Sequence, residues 1–229
     1  MPQRLLSISA VIDRLAGHYG EPAPPETVEP FAMILWENVA YLANDEKRAE
    51  AFAELRKLTG LTPAGVRKAK SSALLAVAKK GILPEQTVEK LRRAAETSRN
   101  EFGDDLKVVL DKPVASAKRD LRKFPAIGEP AAEKILLFNQ RLPVLVLDSN
   151  GLRVLVRLGY TAEHRNYSTM YKAAQRALEP QLPKDCEALI RSYQLLRQHG
   201  QVLCKRTSPA CGECPLRANC SYFSEHAFL

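Results

Sequence analysis

No apolar run in this 229-residue chain approaches the ~20 residues that a helix needs to cross a bilayer. A transmembrane helix is therefore not expected. There is no internal repeat and no low-complexity tail, which sets aside solenoids and disordered interaction arms. The first twenty residues lack the short apolar core and small-residue cleavage site of a signal peptide. They carry an amphipathic helix pattern instead, and the expectation is a cytoplasmic protein with reduced thiols. Strand signals are nearly absent too. Only "LPVLVLD" (142–148) has the composition of a buried strand, and one strand has nothing to pair with. Cysteine is scarce, with five in all and none before Cys186. Acid is missing altogether between Ala64 and Lys80, where Arg67, Lys68, Lys70, Lys79 and Lys80 fall.

What remains is helical. Leu5, Ile8, Ile12 and Leu15 mark one face of a first helix, and Pro22, Pro24 and Pro25 make a linker. Phe31 to Ala43 is apolar almost all round, as a helix buried at the centre of a fold would be. Further helices are predicted over roughly 46–58, 63–80, 85–102, 114–123, 129–139, 150–158, 168–179 and 185–200 from periodicity and Gly/Pro punctuation. The fold class is all-α.

Four of the five cysteines, Cys204, Cys211, Cys214 and Cys220, read C-x6-C-x2-C-x5-C within seventeen residues. Thiols so crowded either pair as disulfides or bind a soft metal centre. A reducing compartment favours the metal. Zinc sites commonly use two short C-x2–4-C knuckles, and only Cys211 and Cys214 form one. Four unequally spaced cysteines in one loop suit the corners of a [4Fe–4S] cube better, with zinc as the alternative. Cys186 stands outside the spacing.

The formal net charge of +8 and the pI of about 9.3 imply attraction to a polyanion. Lys112 to Lys123 holds five basic residues against Asp120 alone. A solvated helix face is the plainer meaning of either basic segment. In "LRKFPAIGEPAAEKILLF" (121–138) a helix stops near Lys123, a turn follows, and Pro130 suits the first turn of the next helix. Backbone N–H groups at such a turn hold phosphate without reading a base. In "LDSNGLRVLVRLG" (147–159), Asp148 precedes an apolar periodic run as an N-cap does. The helix N-terminus favours its ionised form. Glu37 and Asn38 are the only strongly polar residues between Phe31 and Ala43. A carboxyl in such a run either faces solvent at a boundary or is buried with a raised pKa.

The cysteine loop in its setting, "HGQVLCKRTSPACGECPLRANCSYF", resembles that of the endonuclease III family, the iron–sulfur branch of the helix-hairpin-helix DNA glycosylases. Phe124-Pro125-Ala126-Ile127-Gly128 resembles that family's hairpin, whose usual form is L-P-G-hydrophobic-G; here the first glycine is alanine. If that position needs φ > 0, Ala126 costs on the order of 1 kcal/mol. Asp148 takes the place of the family's catalytic aspartate. The resemblance runs from about Pro30 to Tyr222 and implies two helical lobes. One covers 24–138 and ends with the hairpin; the other joins 1–23 to 139–229 and carries the cluster. Asp148 would face the cleft between them.

The implied function is base-excision repair. A monomeric glycosylase would bind duplex DNA, flip one nucleotide and hydrolyse its N-glycosidic bond. Asp148 would stabilise the oxocarbenium-like sugar or activate water. Bifunctional members carry a lysine two residues past the last hairpin glycine, a position held here by Pro130. The nearest amine, Lys134, lies a helical turn further on and has the plain reading of an exposed helix lysine. A monofunctional enzyme is therefore expected. Glu37 resembles the general acid of adenine-specific members, which favours a purine substrate. The Gln-rich run that should follow it is replaced by "NVAYLAND", and no extra domain for reading a damaged guanine is expected. Tyr41 can stack on a flipped base or plug the duplex. Lys123, Pro125, Ala126, Ile127 and Gly128 of the hairpin, with Lys205 and Arg206 of the loop, are candidate phosphate contacts. The alternatives are a mismatch uracil or thymine glycosylase, a glycosylase/lyase using Lys134, a non-catalytic DNA-binding iron–sulfur protein, and a zinc or iron–sulfur module that binds protein or RNA.

Overall fold

The computed structural model describes residues 5–40 and 43–226. Tyr41 lies outside them. Every regular element among the described residues is helical. The chain divides into two compact units, a continuous one over Pro25–Leu142 and a discontinuous one made of Met1–Pro24 with Pro143–Leu229.

The first helix, α1 (Ile8–Tyr19), starts where the Ser7 hydroxyl accepts the Ala10 N–H. It buries Ile8, Val11, Ile12 and Leu15, each worth ~1.5–3 kcal/mol of apolar burial. Leu5, expected on that face, precedes the helix and is exposed. The continuous unit follows with α2 (Pro30–Asn38), α3 (Asp45–Thr59), α4 (Pro63–Lys68), α5 (Ser71–Ala78), α6 (Pro84–Phe102), α7 (Lys107–Leu110), α8 (Val114–Leu121) and α9 (Glu129–Phe138). The α2 helix is buried on nearly all sides, as its sequence demands, but ends at Asn38 rather than Ala43. Long α6 packs on α2, α4 and α5.

The single helix predicted over 63–80 is two. At Ala69 the backbone turns extended (ψ 142°). The cause lies on α6, where the Arg92 guanidinium donates to the carbonyls of Val66, Arg67 and Ala69. These are the orphan acceptors of a helix C-terminus. A long-range cap of this kind leaves no trace in local periodicity.

The discontinuous unit is completed by α10 (Ser149–Leu158), α11 (Tyr167–Leu178), α12 (Cys186–Val202) and α13 (Ser221–His226). α12 packs against α1 and α10, and α10 also meets α11 and α13. The strand-like segment before α10 forms no regular element, with Leu145, Val146 and Leu147 buried. Side chains of α11 replace a neighbouring strand: Gln175 donates to the Leu145 carbonyl and Tyr167 to that of Leu147.

Candidate active site and metal centre

Asp148 is the N-cap of α10, with extended backbone (φ −89°, ψ −179°). Its Oδ1 accepts the N–H groups of Asn150 (2.9 Å) and Gly151 (2.8 Å). Its Oδ2 accepts Asn150 Nδ2 at 3.0 Å and pairs with Arg197 Nε at 3.2 Å. The side chain is 27% exposed, so the carboxylate is both fixed and reachable. Arg197 is a component that the sequence reading missed. It lies 49 residues away on α12, and nothing local to Asp148 announces it.

Close packing makes this pairing possible. A Cβ on Gly200 would sit 2.6 Å from the Asn150 carbonyl oxygen, so α12 can cross the first turn of α10 only with glycine there. Arg153 then laces the junction together. Its guanidinium donates to the carbonyls of Gly200 (2.7 Å) and Cys204 (2.9 Å) and to Asn150 Oδ1 (2.9 Å). One arginine therefore links the Asp148 turn to the first cysteine of the loop.

All five cysteines are free thiols. Cys204, Cys211, Cys214 and Cys220 line one small pocket, walled otherwise largely by apolar side chains such as Val154, Leu203 and Leu216. Cys186 does not line it. Among the described residues no three His, Cys, Asp or Glu side chains converge as they would on a single ion. Burial, opposed by the Leu216 backbone amide but joined by Cys220, Cys204 and Cys211, pushes the Cys214 thiol up to about 11. Burial and the charges of Cys204 and Cys211 likewise raise Cys220. Four thiolates around one apolar cavity repel one another unless a cationic centre sits among them, and that donor set fits an iron–sulfur cluster.

Charged and polar groups surround the thiols. Arg157 Nη1 lies 3.3 Å from Cys204 Sγ, and the same guanidinium holds the carbonyls of Lys205 and Arg206. Those two side chains are exposed. His199, 1% exposed, has its pKa pushed down to about 4 by burial and then by His18.

In the continuous unit Ala126 stands at φ 61°, the left-handed region in which a side chain is strained. Buried Asn38 at the end of α2 donates to the Pro125 carbonyl at 3.0 Å and anchors the turn. Ile127 is 5% exposed and its N–H donates to the Phe124 carbonyl at 3.3 Å, so a phosphate would have to use other N–H groups of the turn. Gly128 caps α9 and Pro130 occupies its first turn. Lys123 is not a solitary cation, since it pairs with Glu101 (2.7 Å) and Asp120 (3.3 Å).

Two expectations need correction here. Lys134 is not an exposed helix lysine. It is 14% exposed and ion-paired with Glu37, itself 22% exposed. Glu37 is thus neither a buried lone carboxyl nor a freely solvated one. The basic runs are also less basic in space than in sequence. Arg67 meets Asp104, Lys80 meets Glu50 and Glu54, Lys112 meets Asp120, and Lys118 meets Glu129 and Glu133. Arg119 and Arg122, exposed beside the hairpin, form no ion pair among the described residues.

No family model matches the chain. Endonuclease III of Thermotoga maritima is 23% identical over 202 residues, spanning 88% of this chain and 87% of that protein. Endonuclease III of Sulfolobus acidocaldarius is 24% identical over 202 residues, spanning 88% and 86%. A solved non-covalent endonuclease III–DNA complex superposes with a TM-score of 0.77 at 17% identity, covering 98% of this chain and 100% of that one. Over most of its length the chain is similar in sequence to endonuclease III, and it shares the all-α fold of the solved endonuclease III.

Proposed function

We propose that this protein is a monomeric DNA glycosylase of base-excision repair that uses water, not an amine, as its nucleophile. The observation that carries the reading is Asp148. Its carboxylate is held by two backbone N–H groups, Asn150 and Arg197 while staying partly open to solvent. N-glycosidic cleavage builds positive charge on the sugar, and a fixed anion stabilises that charge without reorganising during the reaction. Pro130 leaves no amine where a Schiff-base lysine belongs, which supports release of a free base with the abasic strand intact.

The substrate is duplex DNA with one nucleotide extruded. The hairpin backbone, Arg119, Arg122, Lys205 and Arg206 supply sequence-independent phosphate contacts. Cys204, Cys211, Cys214 and Cys220 would hold a [4Fe–4S] cluster, whose contribution is a cationic centre that orders the loop carrying Lys205 and Arg206. Among the described residues no helix is long and apolar enough to cross a membrane. A purine substrate would need Glu37 as proton donor to the leaving base. Its ion pair with Lys134 makes it a poor donor as it stands, so substrate-bound Glu37 would have to part from that lysine.

The same pair favours one second reading. In that reading Glu37 takes the proton of the largely buried Lys134 amine once substrate is bound, and Lys134 would act as a displaced lyase nucleophile. A panel of duplexes, each with one damaged or mispaired base, tests both readings. Base release with strand breakage only after alkali, and no borohydride-trapped adduct, supports the water mechanism. A trapped adduct that disappears in Lys134→Ala establishes the lyase. No base released from any duplex overturns the glycosylase assignment.

A further inference from the structure

We propose that Tyr19 and His199 form a hydrogen-bond relay onto the Cys214 sulfur, which orients that ligand and tunes the centre it holds. The inference rests on the cluster reading above and extends it to residues outside the cysteine spacing.

His199 sits in the last turn of α12 and touches the loop twice. Its carbonyl accepts the N–H groups of Leu203 (3.1 Å) and Cys204 (2.8 Å). Its ring Nε2 lies 3.5 Å from Cys214 Sγ. The other ring nitrogen, Nδ1, lies 2.9 Å from the Tyr19 hydroxyl. One buried residue therefore bears on the first and third cysteines of the set, through main chain and ring respectively.

The direction of these bonds follows from the ligand. A metal-bound cysteine is a thiolate, which has no proton and can only accept. His199 Nε2 must then carry its hydrogen toward sulfur, because a lone pair facing the thiolate would repel it. A neutral ring leaves Nδ1 as an acceptor, and the Tyr19 hydroxyl is the donor that satisfies it. A charged ring would keep the same N–H···S contact and reverse only the Tyr19 bond. Tyr19 is the last residue of α1, whose apolar face is buried and which packs on α12. The N-terminal helix thus fixes the donor that meets a sulfur 195 positions further along the chain. Hydrogen bonds to ligand sulfurs withdraw electron density and raise the reduction potential of an iron–sulfur centre.

The experiment uses the cluster-loaded full-length protein. Tyr19→Phe removes only the hydroxyl, His199→Leu removes the N–H donor, and His199→Gln returns an N–H close to the Nε2 position. The readouts are reduction potential by voltammetry, iron release to a chelator followed by loss of visible absorbance, and Tm. Tyr19→Phe and His199→Leu should shift the potential in the negative direction and speed iron release by about 10-fold, the lower end of the effect of such supporting partners. His199→Gln should return both toward wild type. An unchanged potential in the first two variants, or iron release that merely tracks a lowered Tm, overturns the relay. Wild-type protein with zinc, or without iron and sulfide after reconstitution, overturns the cluster reading itself and is seen before any variant is made.

Discussion

Replacing Asp148 with asparagine separates its two duties, because the substitution keeps shape and removes charge. Asparagine caps a helix about as well as aspartate. Its Oδ1 can still accept the Asn150 and Gly151 N–H groups. What disappears is the ion pair with Arg197, whose side chain is 23% exposed against 27% for Asp148, together with the Oδ2 acceptor of Asn150 Nδ2. A pair that open to water contributes at most ~1 kcal/mol. Arg197 also has Gln201 Oε1 at 3.3 Å, so its cation is not stranded. For a chain of this length the stability loss corresponds to about 2–4 °C in Tm. The chemical step should respond far more. Removing a preorganised group aimed at transition-state charge costs about 10²–10³-fold in rate. Single-turnover base release on the best duplex of the panel should therefore fall by at least ~10² while DNA affinity, measured by fluorescence anisotropy, holds. Asp148→Ala should lose a further ~1 kcal/mol of stability, because the cap goes as well. Asp148→Asn excising within a few-fold of wild type would refute the reasoning and leave Asp148 as a cap alone.

Three further outcomes follow from the geometry. Ala126→Gly relieves the left-handed backbone at φ 61° and should stabilise the protein by up to about 1 kcal/mol in urea unfolding with DNA affinity unchanged; a destabilised variant would contradict the strain argument. Gly200→Ala forces a methyl to 2.6 Å from the Asn150 carbonyl, so calorimetry should show a loss of ~1–3 kcal/mol, with excision falling too because that turn carries Asp148. Burial pushes the Tyr160 hydroxyl from its ordinary 10.0 to about 12, and the hydroxyl donates to the Leu6 carbonyl at 2.8 Å. The folded value lies above the unfolded one, so this contribution is complete below pH 10 and is lost as the pH climbs to about 12. Tyr160→Phe should flatten that alkaline decline in melting experiments while lowering neutral-pH stability by ~1 kcal/mol.

The sequence disclosed features whose causes are local. An all-helical fold follows from periodicity and punctuation, and the cysteine loop announces itself by spacing. Asp148 before S-N-G reads as a cap because capping involves residues two and three positions on. The rest depends on side chains meeting across tens of residues. The break at Ala69 comes from Arg92 on another helix, and no pattern within 63–80 contains it. Arg197 beside Asp148, Lys134 beside Glu37 and Tyr19 beside His199 are separated by 49, 97 and 180 positions. The acid-free stretch from Ala64 to Lys80 looked like an open basic face, yet Asp104, Glu50 and Glu54 are folded onto it. A charge run read along the chain counts only its own residues, whereas an electrostatic surface includes everything that tertiary structure brings near.

The interrupted unit has a consequence for how the protein is made. The segment Pro25–Leu142 is one unbroken stretch and can fold as soon as it leaves the ribosome. Tyr19 and the rest of α1 emerge before it, yet α12 begins only at Cys186. At a synthesis rate of about 5–20 residues per second, α1 waits roughly ten to thirty seconds for its partner. Throughout that interval Ile8, Val11, Ile12 and Leu15 have no surface of their own to cover them. A helix made before the whole continuous unit is thus among the last to find its place, and a chaperone that shields short apolar helices would find its natural client there.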